Sequence, residues 1–141
     1  MALKDLRVGI VGLGDAGQLH FDNWSRTPGV RVLALCDVRS ETAVQLTGSA
    51  APFYYDAEDM FDSVELDAIS LCTPTASHHP IGEMALARGI SLLCEMPATP
   101  NSRLTEELIR THGRALPACL PVPESWRSAA RQGSDGGRRH R

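Results

Sequence analysis

Gly12, Gly14 and Gly17 stand at the spacing Gly-x-Gly-x-x-Gly directly after an apolar run at 6–11, and Asp37 follows twenty positions after the last glycine. Glycines so placed let a chain turn off a strand, admit a phosphate against bare backbone, and let the next helix pack on that strand. Leu13, Asp15 and Ala16 complete the turn, and the helix it opens has unpaired N–H groups and a partial positive charge suited to a pyrophosphate. A carboxylate at Asp37 accepts hydrogen bonds from ribose hydroxyls and repels a 2′-phosphate. The pattern predicts a nicotinamide dinucleotide, NAD ahead of NADP. Arg39 keeps NADP open, because it can stack on an adenine or partner a 2′-phosphate.

Two further groups fall at the ends of apolar runs: Cys72-Thr73-Pro74, with His78 five residues after the threonine, and Glu95-Met96-Pro97. Each has a plain structural reading. Thr73-Pro74 terminates a strand, and Glu95 caps a helix that follows. Their shared position matters more, since ligands of open parallel sheets bind beyond the carboxyl ends of the strands. His78 and His79, with Glu83 four residues after His79, raise the question of a metal. No third ligand stands at metal spacing, so no metal is expected, and a helix-start histidine bonded to backbone is the preferred reading of His78.

The elements that must position these residues follow from apolar periodicity. Strands are predicted at 6–11, 30–36, 52–56, 66–73 and 90–94, with helices at 16–26, 40–48, 57–64, 78–88 and 100–112 between them. Leu19 and Trp24 are expected on the inner stripe of the first helix. Ile81, Met84, Ala85 and Leu86 line that of a later one, and Leu104, Leu108 and Ile109 line that of the last. Alternating strands and helices predict an α/β, Rossmann-type doubly wound parallel sheet forming a single domain over 1–112.

The pattern stops near residue 113. Pro117, Pro121 and Pro123 exclude a central strand there, and the remainder is without apolar periodicity. Charge divides at the same place: residues 1–112 contain 8 Lys+Arg against 15 Asp+Glu, and residues 113–141 contain 6 against 2. A disordered basic tail is expected over 113–141, with the look of a reading frame lost near residue 112. Its arginines have no interleaved aromatics, so nucleic acid is not an expected partner.

At 141 residues the chain has room for one ordinary domain. It contains no apolar run long enough to span a bilayer and no signal-peptide pattern at its start. A cytoplasmic protein without membrane contact is expected. Its four cysteines form no Cys-x-x-Cys pair and read as reduced, mostly buried thiols.

Three stretches together resemble the N-terminal half of the Gfo/Idh/MocA family of NAD(P)-dependent sugar and inositol oxidoreductases. They are Gly-Ile-Val-Gly-Leu-Gly-Asp-Ala-Gly with Asp37, then Cys72-Thr73-Pro74-Thr75-Ala76-Ser77-His78, then the segment 87–99 around Glu95-Met96-Pro97. The resemblance covers about residues 5–112. It implies that Thr73 and Pro74 line the nicotinamide half of the cofactor, with Cys72 among the cofactor-binding residues, that His78 starts the helix behind it, and that Glu95 lies near the nicotinamide ribose. Met96 stands where the family usually has a lysine that assists proton movement. Methionine fills that volume but has no exchangeable proton, so no catalytic residue is assigned.

The family's second α/β domain, which binds the sugar, has no counterpart in 113–141. The expected function is therefore an NAD(P)-binding domain of an oxidoreductase acting on sugars, inositols or related polyols by hydride transfer. Such a domain binds cofactor without turnover alone, and meets a polyol only if a second domain is supplied. The alternative is a non-catalytic nucleotide-binding or interaction module that self-associates through exposed sheet surface.

Overall fold

The computed structural model describes residues 4–39 and 49–112. The helix expected at 40–48 and the tail expected at 113–141 lie outside the described residues. Five strands, β1 (Leu6–Val11), β2 (Val30–Cys36), β3 (Phe53–Tyr54), β4 (Ala68–Leu71) and β5 (Ser91–Cys94), form one sheet in the order β3-β2-β1-β4-β5. Every pairing is parallel. The order reverses on either side of β1, which is the switch point of a Rossmann sheet.

Between the strands run α1 (Asp15–Arg26), α2 (Ala57–Ser63), α3 (His78–Ala87) and α4 (Ser102–His112), with a 3-10 turn at Thr75–Ser77 before α3. Alternation along the strands sorts the core into two faces. Val11, Ala34, Cys36, Ile69, Leu71, Leu92 and Cys94 pack with α2, α3 and α4, whereas Ile10, Leu13 and Leu35 pack with Phe21 and Trp24 of α1. Helices cover both faces, as double winding requires.

Local chemistry sets the boundaries. Asp56 caps α2, its Oδ1 accepting from the N–H groups of Glu58 (2.8 Å) and Asp59 (3.1 Å), and Asn101 Oδ1 accepts from Leu104 N–H at 3.1 Å to open α4. The strand expected at 66–73 is shorter, because the Asp67 carboxylate takes the Arg7 N–H (2.8 Å) in place of a ladder carbonyl, and because Thr73-Pro74 leads straight into the 3-10 turn.

Two apolar residues lie elsewhere than expected. Leu19 is 48% exposed, since the inner stripe of α1 is Gly17, Phe21 and Trp24, and residue 19 lies about 200° round the helix from residue 17. Ile109 is likewise exposed, one step past the buried Leu108.

Candidate functional site

The carboxyl ends of β1, β2, β4 and β5 meet along one edge of the sheet, in a line set by backbone hydrogen bonds. Gly12 N–H donates to Cys36 O (2.8 Å), Cys72 N–H to Val11 O (2.8 Å), and Glu95 N–H to Leu71 O (3.0 Å). Gly12, Asp37, Cys72, Thr73 and Glu95, separated by as many as 83 positions in the chain, are thereby neighbours at that edge.

Each glycine of the turn meets a different surround. Gly12 has φ +89, and a Cβ there would stand 2.6 Å from the Cys72 carbonyl carbon. At Gly17 a Cβ would overlap the Gly12 carbonyl oxygen. Gly14 differs: among the described residues, a Cβ there would find nothing nearer than an Arg39 guanidinium nitrogen at 3.8 Å. Gly12 and Gly17 are thus required by the fold itself, while Gly14 opens onto free space in front of the helix. Among the described residues no side chain caps the N-terminus of α1, and the first-turn N–H groups at Asp15 and Ala16 point out of the helix start. An anionic diphosphate fits this cradle. Asp15 is exposed and sits in the first turn, where its charge suits the helix dipole.

Asp37 is buried at the tip of β2. Its Oδ2 accepts the Leu13 N–H at 2.8 Å, and its Oδ1 accepts the Arg39 N–H at 2.9 Å and the Arg39 Nε–H at 3.2 Å. Burial pushes the carboxyl upward. The Arg39 side chain, the two backbone N–H groups and the Arg39 charge outweigh it and hold the carboxyl below its ordinary value. Asp37 therefore ties the glycine turn to β2, and Arg39 lies across it.

On the other side of β1, Thr73 Oγ1 lies 2.8 Å from Ser77 Oγ, which also lies 2.7 Å from Pro74 O. His78 is buried as the first residue of α3. Its Nε2 lies 2.7 Å from Thr73 O, and its Nδ1 lies 3.0 Å from Pro97 O and 3.3 Å from Cys94 Sγ. The ring bolts the end of β4 to the loop after β5. It contacts backbone, as a helix-start histidine was expected to do. His79 approaches Glu107 only at 3.9 Å, and no group of three possible metal ligands occurs among the described residues.

Glu95 does not cap a helix. Its Oε1 lies 2.7 Å from His20 Nε2, His20 Nδ1 lies 3.0 Å from Ser70 Oγ, and Trp24 Nε1–H donates to Ser70 Oγ at 2.8 Å. His20 and Ser70 were absent from the sequence-predicted site. A fully buried serine inside the apolar strand Ala68–Leu71 was the available signal, because a hydroxyl there needs a partner. Met96, the next residue, is 63% exposed. Cys72 is pushed far above the ordinary thiol range by burial first, and then by the nearby Glu95 charge.

Inositol 2-dehydrogenase of Arthrobacter sp. (strain FB24) is 34% identical over 112 residues, covering 76% of this chain and 33% of that protein. Glycosyl hydrolase family 109 protein 2 of Shewanella sp. (strain ANA-3) is 29% identical over 106 residues, covering 67% of this chain and 23% of that protein. Among solved structures, a dehydrogenase from Chromobacterium violaceum superposes with a TM-score of 0.74 at 27% identity, covering 80% of this chain and 34% of that one. The chain thus spans about a third or less of the length of each. The family model described as "Oxidoreductase family, NAD-binding Rossmann fold" matches residues 6–115, and the chain belongs to that family, Gfo/Idh/MocA.

Proposed function

We propose that this chain is the cofactor-binding part of an NAD-dependent oxidoreductase acting on an inositol, a sugar or a related polyol, with residues 1–112 as the binding domain. Bound NAD would supply a hydride acceptor. The chain's own residues supply the rest of the cofactor site. Gly14 and the uncapped start of α1 receive the diphosphate, and Asp37, with Arg39 moved aside, receives the adenosine ribose. Cys72, Thr73, Pro74 and Glu95 border the nicotinamide half. The observation that carries this reading is the open space at Gly14 beside a buried carboxylate at Asp37. The polyol class rests on relatives such as the inositol 2-dehydrogenase.

By this proposal the chain alone binds cofactor and turns nothing over. Oxidising a hydroxyl needs a group that accepts its proton while the carbon is held against the nicotinamide. Met96 has no titratable atom, and the open edge of the sheet has no facing wall among the described residues. Cytoplasmic residence belongs to the same proposal; no helix among the described residues is long and apolar enough to cross a membrane. Incubating the chain with NAD and a panel of inositols and sugars tests the reading. No growth of NADH absorbance is expected, and steady turnover would overturn it.

A further inference from the structure

The side chains of α1 that face the sheet form a directed hydrogen-bond chain, and the direction can be read from donor chemistry. An indole N–H can only donate, so Trp24 makes Ser70 Oγ an acceptor at 2.8 Å. Ser70 then has one hydroxyl hydrogen and, among the described residues, one partner left to receive it, His20 Nδ1 at 3.0 Å. With Nδ1 accepting, a neutral imidazole has its hydrogen on Nε2, which points at Glu95 Oε1 across 2.7 Å. A carboxylate can only accept, so every link is matched. The order runs Trp24 to Ser70 to His20 to Glu95.

Sheet geometry explains why these four meet. Ile69 and Leu71 pack on the face covered by α2, α3 and α4, and so does Cys94. Alternation therefore sends Ser70 and Glu95 to the opposite face, under α1. His20 and Trp24 are one helical turn apart on α1 and present their polar atoms to that face.

We propose that His20 is a positioning residue that fixes the Glu95 carboxylate for the nicotinamide-ribose half of the cofactor. Oε1 is held by His20, and Oε2 has no partner among the described residues. Glu95 is only partly covered, with its side chain 29% exposed. One oxygen is anchored and the other is presented to a hydroxyl donor, so the carboxylate enters binding already oriented. The same chain couples α1, which opens at the diphosphate cradle, to the end of β5, so both halves of the dinucleotide site share one rigid support. This inference rests on the proposed NAD site, but its first test does not.

Nitrogen-15 NMR of the histidine-labelled full chain, without ligand, reads the His20 tautomer directly, with His20→Asn identifying its signals. The Nε2–H tautomer is expected; an Nδ1–H form or an even mixture would overturn the proposal whatever the chain binds. Ser70→Ala removes the donor to Nδ1 and leaves the His20–Glu95 contact in place. It should mix the tautomers and weaken NAD by about fivefold, the scale of one net hydrogen bond. His20→Gln, whose amide can still donate to Glu95, should restore more affinity than His20→Phe. Unchanged NAD affinity in both Ser70→Ala and His20→Phe, in a wild-type chain that does bind NAD, would also overturn it. Absence of NAD binding by the wild type, with the expected tautomer, would count against the proposed function instead.

Discussion

Leu13 gives its backbone N–H to the Asp37 carboxylate across 2.8 Å, so the turn after β1 and the tip of β2 are held by the group proposed to receive ribose hydroxyls. One side chain thereby links stability to cofactor choice. Asp37→Ala leaves the Leu13 N–H buried and unpaired, at a cost of about 1–3 kcal/mol. Asp37→Asn can keep that bond through its one amide oxygen, turns an NH2 toward the Arg39 donors, and loses the charge that repels a 2′-phosphate. Thermal melts should separate the two variants, with the alanine lower. Titrations should show the preference for NAD over NADP narrowing in the asparagine variant.

A pair of glycine substitutions separates fold from binding. Gly17→Ala forces a Cβ into the Gly12 carbonyl, and backbone cannot yield as a side-chain tip can. We expect a loss of about 3 kcal/mol or more. Gly14→Ala meets no described atom nearer than the Arg39 guanidinium at 3.8 Å and should leave the unfolding midpoint nearly unchanged, while its methyl group occupies the space proposed for the diphosphate and weakens NAD at least about tenfold. Denaturant midpoints and calorimetry check both. A Gly14→Ala chain that binds NAD as the wild type does would move the diphosphate elsewhere.

Acid should loosen the fold through two carboxylates. Asp37 lies below its ordinary value for the reasons given above, and Asp67 lies far below it, chiefly through the Arg7 side chain, whose Nε–H and Nη2–H donate at 3.0 and 2.7 Å. A carboxyl depressed by folding contributes stability that is complete above the unfolded value of about 4 and fades as pH falls through the folded value. Unfolding free energy should therefore decline as pH is lowered below about 4, and Asp67→Asn should flatten part of that decline. An unaltered acid profile in Asp67→Asn would show that the Arg7 pair contributes nothing.

Thiol reactivity gives an independent view of the core. Burial, followed by the charges of Asp56 and Asp37, pushes the Cys36 thiol up to about 12, and Cys72 is raised further. Both should remain protonated and resist iodoacetamide at pH 8 in the folded chain. Mass spectrometry should find them modified only after denaturant is added. Rapid labelling of Cys72 in the native chain would mean that the edge of the sheet opens readily.

What the sequence revealed depended on how local the cause was. Strand and helix order was legible because apolar periodicity is set by nearest neighbours, and Gly12, Gly14 and Gly17 were legible because their spacing reports a turn. Leu19 was misplaced because the five-residue step from it to Trp24 turns a helix by about 140°, off one stripe, and Ile109 because an apolar residue one step past the inner stripe looks the same in sequence as one on it. The partners of Glu95 escaped for a different reason. His20 and Ser70 are 75 and 25 positions away, and only sheet alternation and the path of α1 bring them together. The double duty of Asp37 was hidden in the same way, since a carboxylate's backbone partner across 24 positions leaves no trace in spacing.

The central claim is that residues 1–112 form a competent NAD site, and calorimetric titration of the full chain with NAD tests it most directly. Saturable binding at one site per chain is expected. A folded chain that releases no heat and shows no rise in melting temperature with millimolar NAD would contradict it.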